Sequence, residues 1–318
     1  MAWTPKVPPV VAGVGATHGH RGNDVSSSDG VPARQRVRVV TDSLAWLPKE
    51  AVDAHGIRVV PLHVNFGDEQ FTETVDLTNA EFYRRLRAGG KPTTSQPSPG
   101  EFLETFAELA RDADAVLSIH ASAKLSGTHQ SAMIAAATAR AQFPGVRFEV
   151  VDTGLVAPAQ GMVVVNAARA LAAGTPIDDV LGLVARLAPR MHALIVPDTI
   201  EYLVRGGRVS RFQGFVGGLL NVRPILNLAD GLVSPRDRVR TRARSIERMV
   251  ELAAEDAPSR RLGHVGLMHA EAPEARDELR RQFAGRFEVD EWLEVEIGPV
   301  LGAHAGPGAI GVTYHEAD

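Results

Sequence analysis

Short apolar runs and stretches of helical periodicity alternate along the first half of the chain, starting at Val37. The apolar runs predict strands at residues 37–40, 57–64, 115–119 and 147–151. The stretches between them predict helices at residues 48–55, 79–88, 99–111 and 127–142. Strands and helices that alternate in this way are typical of a mostly parallel sheet with helices on both faces, so we predict an α/β unit here.

The second half has a different pattern, in which strands predominate. Helices predicted at residues 159–173 and 176–188 lead into predicted strands at 193–197, 224–228, 232–240, 263–269, 289–297 and 309–315, with helices at 244–256 and 273–283. Asp230-Gly231 separates two of these strands, and this dipeptide is a strong signal for a tight hairpin. We therefore predict an α+β unit with a mixed or antiparallel sheet.

The change in pattern also predicts how the chain is divided. We expect a two-lobed α/β protein, with an N-terminal parallel-sheet domain at residues 36–175 and a C-terminal α+β domain at residues 176–318. Residues 1–35 are rich in Gly, Pro, Ser and Val without periodicity, so we predict a disordered lead-in. In a parallel sheet of this kind, ligands bind beside the carboxyl ends of the strands.

Composition narrows the classes of protein. The net charge of −4 does not favour a nucleic-acid partner, and the absence of cysteine excludes disulfides, thiol catalysis and cysteine metal sites. No apolar run approaches the roughly 18 residues that would span a bilayer. We expect a cytoplasmic protein with no metal and no cofactor, whose contact with membranes would be transient.

Hydroxyl side chains precede a well-marked helix start near residue 98. Thr93, Thr94 and Ser95 stand just before Ser98, which is a good N-cap, and Glu101 completes a capping box. Hydroxyls beside the free N–H groups of a helix could hold an anionic or carbonyl head group. Alternatively, the segment only caps its helix.

Two further segments combine glycine with hydrogen-bonding side chains. Ser126-Gly127-Thr128 stands between a predicted strand and a predicted helix, so it could be a second cradle or a simple cap. His304 lies among closely spaced glycines, where the backbone could approach a ligand or merely turn between two strands. The hydroxyl cradles contain no lysine and no phosphate-loop motif, which favours a singly charged or neutral head group.

Arginines supply the remaining candidates. Arg205 and Arg208 flank a glycine pair and could clamp an oxyanion. The arginines from 236 to 244 recur with a period of two, as on the solvent face of an edge strand, and could dock an acidic partner. A serine hydrolase would have to pair Ser126 with His304, and no nucleophile-elbow motif supports that interpretation.

Together and in this order, these motifs resemble the DegV family of bacterial fatty-acid-binding proteins. The likeness covers about residues 37–315, and its motifs are specific jointly and weak singly. The matching residues are Thr41-Asp42-Ser43, Thr94-Ser95-Gln96-Pro97-Ser98-Pro99, Leu125-Ser126-Gly127-Thr128, Asp152-Thr153, Leu203 with Gly206-Gly207-Arg208, Pro224-Ile225-Leu226, Arg238 to Arg240, and His304 with Gly306-Pro307-Gly308.

The resemblance implies a ligand and the residues that hold it. Members of that family bury a long-chain fatty acid between two α/β lobes, and a Thr, a Ser and a His hydrogen-bond its carboxyl group. By position, these donors correspond here to Thr94, Ser126 and His304. The residues expected to support the pocket are Ser95, Gly127, Thr128 and Gly306.

The resemblance also implies a partner. Members of the family present the bound acid to a separate fatty acid kinase subunit, which phosphorylates its carboxylate for phospholipid synthesis. By the same likeness, Arg208, Arg238 and Arg240 would face the acyl-phosphate or the kinase.

A few positions depart from the family pattern. His129 stands where Tyr is usual, Arg223 where Lys is frequent, and His120-Ala121 where serines are usual. These departures leave the three carboxylate contacts intact, but those at 120 and 129 could change the shape of the pocket and its acyl preference. The apolar and glycine-rich run at residues 215–220 could line a channel for the acyl tail, or form core.

We therefore predict a lipid-binding, substrate-presenting subunit with no catalysis of its own. One alternative is an acyl esterase or thioesterase that uses Ser126 and His304. Another is an interaction protein whose arginine strand docks a partner while its pocket has no ligand.

Overall fold

The computed structural model describes residues 3–4, 35–208 and 222–317. Its α-helices are α1 (Lys49–His55), α2 (Asn79–Arg87), α3 (Pro99–Leu109), α4 (Thr128–Gln142), α5 (Ala157–Ala172), α6 (Ile177–Leu187), α7 (Glu201–Arg205), α8 (Arg242–Asp256), α9 (Pro273–Arg286) and α10 (Pro299–Ala305). Short 3-10 helices also lie at Ser43–Ala45 and, directly after α6 in the chain, at Ala188–Arg190.

The strands form three sheets. They are β1 (Trp3–Thr4), β2 (Val37–Asp42), β3 (Arg58–Val60), β4 (His63–Phe66), β5 (Glu69–Thr72), β6 (Thr93–Ser95), β7 (Ala115–His120), β8 (Arg147–Asp152), β9 (His192–Val196), β10 (Arg223–Ala229), β11 (Leu232–Val239), β12 (Arg261–His269), β13 (Glu288–Glu296) and β14 (Ile310–Glu316).

The first sheet has the order β3-β2-β7-β8, and all its neighbouring strands are parallel. Successive residues of β2 point to opposite faces, so Val40 packs among Phe102 and Phe106 of α3 while Val39 belongs to the core that contains α5. The predicted parallel sheet with helices on both faces is therefore confirmed. The carboxyl ends of β2, β7 and β8 carry the loops that follow Asp42, His120 and Asp152.

The second sheet is small and antiparallel, with the strand order β5-β4-β6. The single strand predicted at residues 57–64 is wrong, because it is divided at Pro61 into β3 and β4, which belong to different sheets. Proline has no N–H to donate to a ladder, which explains the break. Strands β5 and β6 were not predicted, and β6 contains the hydroxyl segment that the sequence placed in a loop before α3.

The second half forms a seven-stranded sheet of order β1-β13-β12-β14-β9-β10-β11. Only β12 and β13 are parallel among its pairs, so the predicted mixed sheet is confirmed. Strands β10 and β11 form the predicted hairpin, with Asp230 and Gly231 at φ 51° and 74°. Two successive positive φ angles suit the right-handed twist of a hairpin.

Three further features differ from the predictions. The glycine-rich segment around His304 is not a plain turn between strands, since it forms α10. Of the predicted arginine strand, Arg242 and Arg244 belong to α8 and only the first members lie on β11. Within the predicted lead-in, Trp3–Thr4 pairs with β13. The domain boundaries at residues 36 and 175 stay a prediction.

Candidate ligand-binding site

An apolar cavity lies among segments from both halves of the chain. Its polar lining consists of Thr94, Ser95, Gln96, Ser126, Arg208 and His304. Among the described residues, its apolar lining is aliphatic and contains no aromatic ring: Leu44, Leu62, Leu125, Val156, Ile195, Pro197, Leu203, Leu226, Val233, Val300, Leu301 and Ala305. A flexible hydrocarbon chain needs an apolar wall of this kind, while the polar residues can bind one hydrogen-bonding group.

Thr94 reaches the cavity from the edge strand β6. It pairs with Val64 of β4, and its Oγ1 lies 2.9 Å from Nε2 of His304. The next element is held by the predicted capping box: Ser98 Oγ accepts the Glu101 N–H at 3.2 Å, and Glu101 Oε2 accepts the Ser98 N–H at 2.8 Å. The box fixes the start of α3 and leaves the hydroxyl of Thr94 for the cavity.

Ser126 stands in the loop between β7 and α4. Its Oγ lies 2.8 Å from Oγ1 of the buried Thr128 and accepts the Thr128 N–H at 3.3 Å. Gly127 packs against Gln96, whose Nε2 would lie 2.9 Å from a Cβ at this position. The predicted supporting roles of Gly127 and Thr128 therefore have a local basis: they hold the loop from which Ser126 faces the cavity.

His304 lies on α10, and its imidazole is squeezed against α7. A Cβ at Gly206 would lie 2.1 Å from His304 Nδ1, so a side chain cannot be placed there without moving the ring. Burial, together with the positive charges of Arg208 and Arg205, lowers the pKa of His304 to about 4. The imidazole is therefore neutral at pH 7. Its buried Nδ1 has no hydrogen-bond partner among the described residues.

Gly306 is needed where the chain leaves α10. Its φ is 74°, and a Cβ there would lie 2.2 Å from the ring of Tyr202. The glycine therefore lets the chain turn tightly past α7, which keeps the helix that carries His304 in contact with it.

The three arginines predicted to face a partner are not all at the cavity. Arg208 lines it and donates through Nε to the carbonyl of Leu125 at 3.2 Å and through Nη1 to the carbonyl of Gly206 at 2.6 Å. Arg238, at the end of the edge strand β11, and Arg240, just after it, instead have exposed side chains and are not among the residues that line the cavity.

A buried network of polar side chains surrounds Asp42, and the sequence did not predict it. Asp42 Oδ2 accepts from Nδ1 of His120 at 2.8 Å and from the Ala121 N–H at 3.1 Å, and Oδ1 accepts the Leu44 N–H at 3.0 Å. Nε2 of His120 lies 2.6 Å from Oγ of Ser118. Through its bond to Leu44, Asp42 also caps the short helix that begins at Ser43, and no spacing rule links it to His120.

The geometry gives the esterase alternative little support. Ser126 Oγ is bonded to Thr128 and His304 Nε2 to Thr94, and the described residues offer His304 no carboxylate to orient it. Ser118, His120 and Asp42 are linked by hydrogen bonds in the order serine, histidine, carboxylate, as in a catalytic triad. All three are fully buried, however, and none lines the cavity.

None of the departures from the family pattern is among the residues that line the cavity. His120 is buried against Phe102, with the two ring centroids 5.0 Å apart. The tail-channel prediction for residues 215–220 lies outside the described residues.

Together, the fold and the cavity define an α/β protein with an aliphatic pocket that ends in hydroxyls and a neutral imidazole. The DegV family model, described as an uncharacterised protein family, matches residues 36–317. A DegV domain-containing protein of Caldanaerobacter subterraneus is 36% identical over 89% of this chain and 99% of its own length. Protein DegV of Bacillus subtilis is 33% identical over 87% of this chain and 98% of its own. The chain belongs to the DegV family.

Solved structures agree with this assignment. A DegV family protein from Thermus thermophilus, described by its fatty acid binding, has a TM-score of 0.83 and 36% identity, covering 89% of this chain and all of that one. DegV from Bacillus subtilis, described as a fatty acid binding protein, has a TM-score of 0.80 and 32% identity, again over 89% of this chain and all of that one.

The described residues contain neither a membrane-spanning helix nor a cluster of metal ligands. In residues 3–4, 35–208 and 222–317, no helix is both long and apolar enough to cross a bilayer. The same ranges contain no group of three or more His, Cys, Asp or Glu side chains placed to hold a metal ion.

Proposed function

We propose that this protein binds a long-chain fatty acid in the cavity, with the carboxylate at Thr94, Ser126 and His304 and the acyl chain along the aliphatic wall. The observation that carries the proposal is that these three side chains, far apart in sequence, line one cavity whose apolar lining, among the described residues, is aliphatic. The fatty acid binding of relatives with at least 30% identity supports the same ligand.

The chemistry of the polar end suits a carboxylate. An unpaired buried carboxylate costs several kcal/mol, so its oxygens need several donors. Two hydroxyls and one neutral imidazole can each donate, and the guanidinium of Arg208 adds positive charge at the same end. In this proposal Thr94 turns its hydroxyl from His304 to the ligand when the acid enters.

We further propose that the bound acid is offered to a separate fatty acid kinase subunit in the cytoplasm, so that this protein presents the substrate and does not catalyse. Arg208 lies at the cavity, Arg238 is exposed on the edge strand β11, and Arg240 is exposed just after it. The charge of Arg208 suits the negative charge of an acyl-phosphate, and the exposed arginines suit an acidic face of a kinase.

Lipid extraction tests the binding of a fatty acid directly. Protein purified from a bacterial host and extracted with organic solvent should release about one fatty acid per chain, measured by mass spectrometry against the protein concentration. The variant Ala305→Trp places a large ring in the cavity wall and should release far less. Ala137→Trp, at an exposed position of α4, is the matched control and should release as much as the wild type. Wild-type protein without an acyl chain would refute the proposal.

A further inference from the structure

Glu73 is a fully buried carboxyl group immediately behind the cavity wall. Its Oε2 accepts the hydroxyl proton of Ser43 at 2.5 Å, and its Oε1 accepts the Val300 N–H at 2.7 Å. The Ser43 hydroxyl in turn accepts the Leu62 N–H at 3.0 Å, and the Glu73 N–H donates to the Leu62 carbonyl at 2.9 Å. One carboxyl group therefore connects three separate segments of the chain.

The same three segments contribute to the cavity wall. Leu62 and Val300 line the cavity themselves, and Leu44, which follows Ser43, lines it as well. Val300 is in the first turn of α10, whose N-cap residue Gly298 supplies no side-chain bond, so Glu73 provides that cap from another part of the chain. His304 lies about one turn further along the same helix, about 6 Å along its axis.

Among the described residues, the groups that act on Glu73 are hydrogen-bond donors and a second carboxylate, with no cation to offset a negative charge. Asp42, at the end of β2, contributes a second carboxylate, and Tyr83 of α2 is the nearby phenol whose own pKa the charge of Glu73 helps to raise. Ser43 and the Val300 N–H are the groups that stabilise the ionised form. Among the described residues, no Lys, Arg or His side chain is a cause of the shift in the pKa of Glu73.

We propose that Glu73 is a positioning residue for the head-group end of the cavity, and that binding of a fatty acid is coupled to uptake of a proton by Glu73. The inference rests on the proposed function, since it takes the ligand to be an anion. A fatty acid carboxylate beside His304 would place a second negative charge near that of Glu73. The pair would be stabilised when Glu73 is protonated, and its protonated carboxyl can still accept from the Val300 N–H.

The balance of forces at Glu73 makes this coupling relevant near neutral pH. Burial, reinforced by the charge of Asp42, raises the pKa of Glu73 to about 7 against the opposing hydrogen bonds from Ser43 and Val300. Because the pKa is raised, the ionised form predominates only above pH 7. The affinity for an anionic ligand should therefore be greater at pH 6 and fall as the pH rises through 7 to 8. His304 does not titrate across this range in the ligand-free protein, since its pKa is about 4.

The size of the effect follows from Coulomb's law. The repulsion between two like charges, at an effective dielectric constant of about 20, falls inversely with their separation, and about 1.4 kcal/mol of it changes a binding constant about tenfold. We expect the dissociation constant of oleic acid to rise by up to about tenfold between pH 6 and pH 8. Oleyl alcohol, which has the same chain without the charge, should bind with nearly the same affinity at both values.

The first test compares the two ligands by isothermal titration calorimetry on delipidated full-length protein. At pH 7, titrations of oleic acid in two buffers with different ionisation enthalpies should show uptake of roughly half a proton or less, and oleyl alcohol should show none. An acid affinity that does not change between pH 6 and 8, with no proton uptake, would overturn the coupling while leaving fatty acid binding established. Failure of both ligands to bind would instead refute the proposed function.

Two variants assign the proton to Glu73. Glu73→Gln keeps the size of the side chain, an acceptor for the Val300 N–H and a donor for Ser43, so the protein should bind oleic acid at pH 8 as tightly as the wild type does at pH 6. Ser43→Ala removes a hydrogen bond that lowers the pKa of Glu73, so the midpoint of the pH profile should move upward. Proton uptake that persists in Glu73→Gln, or an unchanged midpoint in Ser43→Ala, would assign the proton to another group and contradict the proposal.

Discussion

At the scale of single residues, the polar end of the cavity is assembled from side chains that no local pattern connects. Thr94 and His304 are 210 residues apart and share a hydrogen bond, with Ser126 lining the same cavity from a third segment. All three are uncharged at pH 7, because the imidazole is kept neutral by burial and by the neighbouring arginines. Neutral donors can satisfy a carboxylate without the cost of a buried ammonium group.

Removing the two hydroxyls should weaken binding of a fatty acid. Each hydrogen bond to a charged carboxylate contributes about 1.5–3 kcal/mol, so Thr94→Val with Ser126→Ala should raise the dissociation constant at least about a hundredfold. The measurement is displacement of a fluorescent fatty acid from delipidated protein. Thr138→Val, on the exposed face of α4, is the matched control and should bind as the wild type does. Unchanged affinity in the double variant would show that the head group binds elsewhere.

The sequence predicted the hydroxyls and the histidine but not the groups behind them. Thr94, Ser126 and His304 were found through glycine-assisted helix starts and through the family likeness, and all three line one cavity. Glu73 has no such signal, because it stands in a short polar stretch that resembles any exposed turn. Its burial depends on Ser43 and on Val300, which lies 227 residues away, and one-dimensional patterns do not contain such distances.

At the scale of elements, the long helices with a clear amphipathic pattern could be predicted from the sequence, and the short elements could not. Helix α3 was recognised at both its start and its approximate end because Ser98, Pro99 and Glu101 specify the first turn locally. Helix α10 is only seven residues long, contains Gly302 and lacks a side-chain cap of its own. Strand β6 has three residues, all with hydroxyl side chains, and it exists through its pairing with β4. Tertiary contacts determine such short elements.

The cap of α3 should contribute to stability more than to binding. Ser98→Ala removes the acceptor for the Glu101 N–H, so the free energy of unfolding should fall by about 1 kcal/mol, within a range of about 0.5–2. Ser98→Thr retains a hydroxyl cap, so its free energy of unfolding should fall by less. Urea denaturation followed by circular dichroism measures both values. An affinity loss in Ser98→Ala as large as that of the double hydroxyl variant would contradict the view that Ser98 only holds its helix.

At the scale of the whole molecule, the cavity is surrounded by elements from both halves of the chain. The hairpin turn between β10 and β11 is tied to the loop after β7, since Ser122 Oγ donates to the Gly231 carbonyl at 2.7 Å and Lys124 Nζ to the Asp230 carbonyl at 2.8 Å. Without a ligand, aliphatic side chains face space that contributes no packing energy. A hydrocarbon chain in that space would add contacts to several elements at once, and it can do so only in the folded state.

Binding should therefore stabilise the folded protein as a whole. A ligand at a hundred times its dissociation constant contributes about 2.7 kcal/mol when it binds the folded state alone, which should raise the Tm by several degrees. Differential scanning calorimetry of delipidated protein, with and without oleic acid, measures the shift. Under the same conditions the Thr94→Val, Ser126→Ala double variant should show a much smaller shift, because its dissociation constant is higher. Thr138→Val should retain the full shift, and equal shifts in all three proteins would mean that oleic acid stabilises them through a site other than this cavity.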